Sequence, residues 1–268
     1  MEIKKAKYSG FCFGVRRAVE SALNVKGEVK TLGPLIHNPQ FVAELEKKGI
    51  NAVDSLDDVD KGTLLIRAHG VPDSVVEKAK KKSLNVVDLT CPFVKTVQNF
   101  AKQLYKQGYQ VVVVGEKNHP EVMGIVGNIN AIVVGDVDDA KKLAHFKRMG
   151  VVAQTTHDKF DNVVDELRKH ADELKVHNTV CSATEIRQKN AVELANEVEL
   201  IIVIGGNNSA NTRRLAKLCS ESVQTKHIES ADELKKEWFN DINKVGIVAG
   251  ASTPDKAIKQ VEDRINGM

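Results

Sequence analysis

The sequence predicts an α/β protein made of three similar small modules with mostly parallel sheets. Three of its four cysteines, Cys12, Cys91 and Cys181, lie 79 and 90 residues apart and divide the 268-residue chain into near-equal thirds. After each of them the same order of strand-like and helical segments recurs, which indicates an internal repeat. The first module is expected to contain Cys12, and the others to begin at Cys91 and Cys181, which gives these bounds: residues 1–91, 92–180 and 181–268.

Length and composition are those of a globular chain with a sizeable core. Hydrophobic residues make up 42% of the chain and charged residues 28%, which excludes a disordered or collagen-like protein. A net charge of +3 is too small to indicate binding to nucleic acid or to an anionic membrane. Because the chain has neither an apolar run of about 20 residues nor a signal-peptide pattern, we expect a cytoplasmic protein with no membrane partner.

Each of the three cysteines lies where a strand-like segment gives way to a helical pattern. We call these places the cysteine turns. The strand-like segments are residues 3–8, 85–89 and 176–180, and the helical patterns are residues 15–23, 94–104 and 185–195. A cytoplasmic thiol at such a turn is more typical of a metal ligand or catalytic group than of a disulfide.

Two further turns recur in every module. At the second turn a strand ending in glycine meets a polar cluster that begins a helix: His37-Asn38-Pro39, His119-Pro120-Glu121 and Asn207-Asn208-Ser209-Ala210-Asn211. At the third turn a strand-like run ends in small or polar residues: Ala68-His69-Gly70, Gln154-Thr155-Thr156 and Gly250-Ala251-Ser252. Strands and helices that alternate in this way favour parallel sheets, whose ligands gather at the carboxyl ends of the strands.

The residue types at these turns allow a metal centre, an anion site and a proton relay. Three thiolates suit an iron-sulfur cubane with one open iron position, although three ordinary buried cysteines would show the same spacing. His37, His69, His119, Ser209 and Ser252 can each donate a hydrogen bond to an anionic oxygen. Near an open iron, Glu121 could relay protons, with the hydroxyl of Thr155 or Thr156 orienting them. Cys219, which falls outside the repeat, is expected to be a core thiol.

Other classes of function remain open at this point. No phosphate-binding Walker loop, dinucleotide-binding glycine motif or zinc-protease motif is present in the sequence. A metal-dependent hydrolase of a phosphorylated metabolite could use the three cysteines with a metal-bound water. A non-catalytic protein that binds a phosphorylated metabolite would need the histidines but not the cysteines.

The chain resembles the 4-hydroxy-3-methylbut-2-enyl diphosphate reductases, which catalyse the last step of the non-mevalonate isoprenoid pathway. The resemblance extends from about Gly10 to Asp255. It rests on these segments: Gly10-Phe11-Cys12-Phe13-Gly14-Val15, His37-Asn38-Pro39, Arg67-Ala68-His69-Gly70-Val71, Asp88-Leu89-Thr90-Cys91-Pro92, His119-Pro120-Glu121-Val122-Met123-Gly124, Gln154-Thr155-Thr156, Cys181-Ser182-Ala183-Thr184 and Gly250-Ala251-Ser252.

The resemblance implies a site for each part of the reaction. It implies a central 4Fe-4S cluster, with the three modules arranged pseudo-threefold around it, held by Cys12, Cys91 and Cys181. The implied diphosphate ligands are His37, His69, His119, Ser209, Asn211 and Ser252. Glu121, Thr155 and His119 are the implied catalytic residues. One departure is Ala210, which stands where the family usually has a second serine.

The same resemblance implies the reaction and its partners. The allylic hydroxyl of the diphosphate substrate is removed as water by two electrons and two protons, which yields isopentenyl diphosphate and dimethylallyl diphosphate. Because the chain shows no flavin or nicotinamide site, we expect an external one-electron donor such as a ferredoxin or flavodoxin.

Overall fold

The computed structural model of the chain describes residues 1–36, 38–157 and 159–268. The chain divides into two compact units. The first unit comprises Met1–Arg16, Ile36–Lys48 and Ser182–Met268, and the second comprises Arg17–Leu35 and Gly49–Cys181. No helix within the described residues is long and apolar enough to cross a membrane.

Strands and helices alternate along the chain, as the repeat predicts. The strands are β1 (Glu2–Lys5), β2 (Val29–Leu32), β3 (Ile50–Val53), β4 (Thr63–Ile66), β5 (Asn85–Asp88), β6 (Gln110–Val114), β7 (Ala131–Val134), β8 (Phe146–Ala153), β9 (Ala171–Val176), β10 (Leu200–Ile204), β11 (Gln224–Ile228) and β12 (Lys244–Ala249). The α-helices are α1 (Phe13–Leu23), α2 (Pro39–Glu46), α3 (Asp73–Lys81), α4 (Pro92–Lys106), α5 (Pro120–Val126), α6 (Val137–Ala140), α7 (Phe160–Leu167), α8 (Ser182–Ala195), α9 (Ala210–Ser220) and α10 (Asp255–Asn266). Short 3-10 helices lie at Leu56–Asp58, Arg168–His170, Ala231–Glu233 and Lys236–Phe239.

In the described residues the strands form three parallel four-stranded sheets with one shared order. The second unit contains the sheets β3-β2-β4-β5 and β7-β6-β8-β9, and the first contains β11-β10-β12-β1. All neighbouring strands are parallel. The predicted α/β class with three similar parallel-sheet modules is confirmed.

The strands β1, β5 and β9 that precede the three cysteines take equivalent places in their sheets. Strand β1 pairs with β12, so the start of the chain completes the sheet of the first unit. In the same way β5 pairs with β4, and β9 pairs with β8. Each cysteine therefore follows the outer strand of a sheet, beside the strand that carries a third turn. The module bounds 1–91, 92–180 and 181–268 stay a prediction, but the sheets do not follow them, because β1 belongs with residues 200–249.

The elements around the cysteines differ from the sequence prediction in two ways. Helices α1, α4 and α8 begin two or three residues earlier than the apolar pattern indicates, directly after the cysteines. The predicted strands over residues 3–8 and 176–180 are wrong in extent, since β1 ends at Lys5 and β9 ends at Val176. Beyond that residue the side chain of Thr179, rather than its backbone, bonds to the neighbouring strand at Ala153.

The sheets are buried on both faces, which explains their nearly continuous apolar strands. In β6, Val111 and Val113 contact α4 and α5, whereas Val112 and Val114 contact α7. The strand β10 of the first unit alternates between two faces in the same manner. One of these faces contains Cys219, which is fully buried and has its pKa raised to about 11 by desolvation, as expected of a core thiol.

A glycine in β8 allows α4 to pack closely on the sheet. A Cβ atom on Gly150 would lie 2.8 Å from Leu104 Cδ2 and 2.9 Å from its Cδ1. We predict that Gly150→Ala lowers the free energy of unfolding by about 1–3 kcal/mol through overpacking. Chemical denaturation measures this loss. Exposed Gly135, where the nearest contact of a new Cβ would be 3.3 Å, provides the control Gly135→Ala, and an equal loss in both variants would contradict the prediction.

Candidate active site

The second unit buries a carboxyl group at the carboxyl ends of its strands. Glu121 lies in the first turn of α5 and is 2% exposed, and Thr155 lies just after β8 and is 7% exposed. The backbone N–H of Thr155 donates to Glu121 Oε1 at 2.7 Å, and its hydroxyl donates to Oε2 at 2.8 Å. One threonine thus holds both oxygens of the carboxyl group.

This environment makes Glu121 a group that can carry a proton near neutral pH. Burial raises the pKa of Glu121 to about 7, although the two hydrogen bonds from Thr155 act in the opposite direction. None of the ion pairs found in the described residues includes Glu121. The carboxyl group can therefore hold a proton at a pH well above the ordinary range of a glutamate.

Two of the predicted histidines lie close together in the same unit. His119 is the N-cap of α5, and its Nδ1 accepts a hydrogen bond from the backbone N–H of Glu121 at 3.2 Å. The proton of the neutral ring is therefore on Nε2. The rings of His69 and His119 meet edge to face, with their centroids 5.5 Å apart. The third turn that follows β4 and the second turn that follows β6 thus place their histidines side by side.

Each of the three predicted metal ligands makes the same kind of backbone hydrogen bond. In the second unit the N–H of Cys91 donates to the carbonyl of Ala68 at 2.9 Å, and that of Cys181 to Thr155 at 2.8 Å. In the first unit the N–H of Cys12 donates to the carbonyl of Ala251 at 3.1 Å. Each acceptor belongs to a third turn. All three cysteines are half-buried, in contrast to Cys219.

The first unit contains the polar residues that follow β10 and β12. Ser209 is buried and is the N-cap of α9, where its hydroxyl accepts from the N–H of Thr212 at 3.3 Å. The turn needs glycine at Gly205, which has a φ of +148° and where a Cβ would lie 2.8 Å from Thr212 Oγ1. Within the described residues, the buried Nδ2 of Asn211 has no hydrogen-bond acceptor. Ser252 is half-buried in the third turn after β12.

The predicted site residues are divided between the two units. The second unit holds Cys91, Cys181, His69, His119, Glu121 and Thr155, and the first holds Cys12, Ser209, Asn211 and Ser252. His37 lies outside the described residues. In neither unit do the described residues bring three His, Cys, Asp or Glu side chains together in a set that could hold a metal ion. The roles assigned to these residues therefore stay predictions.

Sequence reasoning missed several side chains that shape these turns. Gln154 accepts from the N–H of Glu116 at 2.9 Å and donates to the hydroxyl of Thr156 at 3.0 Å, which orients Thr156 differently from Thr155. Thr179 bonds to both backbone groups of Ala153. In the sequence Gln154 carries no signal beyond its place in the Gln154-Thr155-Thr156 motif, and the signal for Thr179 is its position two residues before a cysteine.

Comparison with known proteins agrees with the sequence resemblance. The family described as LytB protein matches residues 3–266. A protein of Pelobacter propionicus named 4-hydroxy-3-methylbut-2-enyl diphosphate reductase is 48% identical, over 99% of this chain and 98% of its own length. A protein of the same name from Aquifex aeolicus is 47% identical, over 99% of this chain and 96% of its own.

Solved structures of similar sequence share the fold. One is described as the structure of (E)-4-hydroxy-3-methyl-but-2-enyl diphosphate reductase, the terminal enzyme of the non-mevalonate pathway. It is 45% identical, with a TM-score of 0.79 and all of both chains covered. The E-1-hydroxy-2-methyl-but-2-enyl-4-diphosphate reductase of Plasmodium falciparum is 28% identical, with a TM-score of 0.88 over 99% of this chain and 87% of its own. With a family match over nearly its whole length and several relatives above 45% identity, this chain belongs to the LytB family.

Proposed function

We propose that the chain is a 4-hydroxy-3-methylbut-2-enyl diphosphate reductase, an iron-sulfur oxidoreductase of the non-mevalonate isoprenoid pathway. The reaction takes two electrons and two protons, breaks the allylic C–O bond, releases water and leaves isopentenyl or dimethylallyl diphosphate. The relatives that carry this name cover the full chain, so the hydrolase alternative is not favoured. The residues of the chain must therefore bind a diphosphate, hold a redox group and deliver protons.

The link from Glu121 through Thr155 to Cys181 is the observation that carries the proposal. Both oxygens of the buried carboxyl are bonded to Thr155, and the carbonyl of Thr155 accepts from the N–H of Cys181. A group that can hold a proton at neutral pH is thus connected to a proposed cluster ligand through a single residue, Thr155. A protein that only binds a phosphorylated metabolite would have no use for this link.

The cysteine turns fit an iron-sulfur cluster better than a structural role in the core. Cys12, Cys91 and Cys181 are half-buried at the ends of strands, and the thiol of Cys12 accepts from the N–H of Val15 at 3.5 Å. N–H bonds of this kind stabilise a thiolate. We assign these three residues as the ligands of a 4Fe-4S cluster. When bound, the cluster supplies the electrons and an open iron position for the substrate hydroxyl.

The proposed diphosphate ligands carry imidazole, hydroxyl and amide groups, each of which can donate a hydrogen bond. They are His37, His69, His119, Ser209, Asn211 and Ser252. Two features of the structure support the assignment. The buried Nδ2 of Asn211 has no acceptor within the described residues, as expected of a donor meant for a ligand oxygen. In addition, the Nδ1 of His119 accepts from the N–H of Glu121, which supports Nε2 as the proposed donor to the diphosphate.

Glu121 and Thr155 are proposed to handle the proton, together with His119. The carboxyl group of Glu121, with its pKa raised to about 7, can give up a proton and be protonated again at cellular pH. Thr155 bonds to both carboxyl oxygens and so fixes the orientation of the carboxyl group. Electrons are proposed to come from an external carrier such as a ferredoxin or flavodoxin in the cytoplasm.

An absorption spectrum of the anaerobically purified protein tests the proposed function. A cluster enzyme is brown, its broad visible absorption is bleached by dithionite, and it converts the allylic diphosphate alcohol to the two products with a reductant. A colourless zinc-loaded protein that hydrolyses phosphorylated compounds would support the hydrolase instead. A colourless protein that binds diphosphate without turnover would support a binding protein.

We predict that changing any one of Cys12, Cys91 or Cys181 to Ser removes most of the cluster iron, because each supplies one of three protein ligands. Iron content and visible absorbance measure the loss. Cys219→Ala is the control and should keep its iron, since that thiol is fully buried in the core. Equal iron loss in the control would show that the ligand assignment is wrong.

We predict that Glu121→Gln lowers kcat by about 10²–10⁴-fold with little change in substrate binding, because glutamine keeps the shape of the side chain but cannot donate an acid proton. Turnover with excess reductant gives kcat, and substrate titration followed by the cluster spectrum gives the affinity. The exposed neighbour Glu116 provides the control Glu116→Gln, which should keep normal turnover. Near-normal turnover of Glu121→Gln would remove Glu121 from the proton path.

The pH dependence of kcat should follow the raised pKa of Glu121. The protonated acid is the active form, so we predict that kcat falls as the pH rises through about 7. Thr155→Val removes the hydroxyl bond that lowers this pKa, and should therefore move the midpoint to higher pH. Thr156→Val, at the exposed neighbouring position, should leave the midpoint in place. An unchanged midpoint in the Thr155 variant would disprove the assignment.

A further inference from the structure

The segment between β9 and Cys181 runs alongside β8 in a regular series of contacts. At its start the N–H of His177 donates to the carbonyl of Val151 at 2.9 Å. At its end the N–H of Cys181 donates to the carbonyl of Thr155 at 2.8 Å. The acceptors are four residues apart, as are the donors, so the segment keeps the register of a parallel strand. Between these two backbone hydrogen bonds, the contact with β8 is made by a side chain instead.

In the middle of this segment a side chain replaces the backbone. The hydroxyl of Thr179 donates to the carbonyl of Ala153 at 2.7 Å and accepts from the N–H of the same residue at 2.8 Å. Ala153 has no exposed surface, so water does not reach these two groups. Without the hydroxyl both would be buried and unsatisfied, which costs free energy and allows the segment to shift.

The segments before the other two cysteines can be compared with the segment that contains Thr179. Before Cys91, the N–H of Leu89 and the N–H of Cys91 both donate to carbonyls along β4 and its third turn, with backbone atoms alone. In the first unit a hydroxyl is used again, since Ser9 accepts from the N–H of Ala249 at 3.3 Å, three residues before Cys12. A side-chain hydroxyl thus completes the ladder before two of the three cysteines.

We propose that Thr179 is a positioning residue that fixes Cys181 relative to Thr155 and Glu121. Ala153 lies two residues before Thr155, whose N–H and hydroxyl hold the Glu121 carboxyl. A shift of the segment at Thr179 therefore moves a cluster ligand and the proton-carrying pair with respect to each other. This inference rests on the proposed function, because it assigns Thr179 to the cluster and the proton path of that function.

The test compares Thr179→Val, Thr179→Ser and wild type as anaerobically purified, cluster-loaded proteins. Valine keeps the shape of threonine but loses the donor and the acceptor, whereas serine keeps both. We expect the cluster of Thr179→Val to be lost to an iron chelator about tenfold faster than in wild type, as for other residues that orient metal ligands. Thr179→Ser should restore the wild-type rate. Bleaching of the visible absorbance follows the loss.

A second measurement separates positioning from a general loss of stability. Turnover per intact cluster in Thr179→Val should show a lower kcat with an unchanged KM, since the proposed diphosphate ligands are not altered. The matched control is Thr225→Val in the first unit, where a half-buried threonine hydroxyl donates to the carbonyl of Val223 at 3.0 Å. That variant should keep wild-type cluster stability and wild-type kcat.

The outcomes are distinguishable. Wild-type behaviour of Thr179→Val, or equally fast cluster loss in Thr225→Val, would overturn the role of Thr179. A wild-type protein that carries no visible cluster would overturn the proposed function itself. If Thr179→Val does not fold, Ser9→Ala tests the same principle before Cys12, and a cluster as stable as that of wild type would then count against the inference.

Discussion

The hydrogen bond from a cysteine N–H to the end of the neighbouring strand is the interaction on which the rest of the structure depends. It occurs at Cys12, Cys91 and Cys181, each time with the carbonyl of a third-turn residue. The strands that lead to these acceptors end in buried residues, which pack in the apolar cores and restrict movement of the acceptors. Each thiol is thereby held at the carboxyl end of a sheet, which is where α/β proteins bind their ligands.

Burial raises the pKa of both a thiol and a carboxyl group in this fold, with different consequences for their chemistry. Desolvation at Cys219 raises its pKa to about 11, which keeps the thiol protonated and inert. Desolvation at Glu121 raises its pKa from 4.5 to about 7, which disfavours the ionised form by about 3 kcal/mol relative to a solvent-exposed glutamate. The hydrogen bonds from Thr155 oppose this effect and keep the pKa close to neutrality. The balance between burial and two bonds gives the carboxyl a midpoint suited to proton transfer.

Much of the fold could be predicted from the sequence, because the repeat, the apolar strands and the helix caps are local patterns. The pairing of β1 with β12 could not, since it joins the two ends of the chain. From the residue types alone either Thr155 or Thr156 could orient the proton, and only the place of Thr155 after Gln154 favours it; the structure shows that Thr155 bonds to Glu121. The hydrogen bond from Thr179 to β8 could not be predicted, because a hydroxyl that replaces a backbone donor leaves no pattern in a sequence.

The absence of cationic side chains among the proposed diphosphate ligands follows from the requirement on Glu121. A lysine or arginine beside the carboxyl would favour its ionised form and lower the pKa towards the ordinary value of a glutamate. The group would then hold no proton at neutral pH. In the second unit the proposed ligands are His69 and His119, and His119 uses its Nδ1 as an acceptor from the N–H of Glu121. On the proposed assignment, donors without a permanent positive charge would hold the diphosphate without lowering the pKa of Glu121 as a lysine or arginine would.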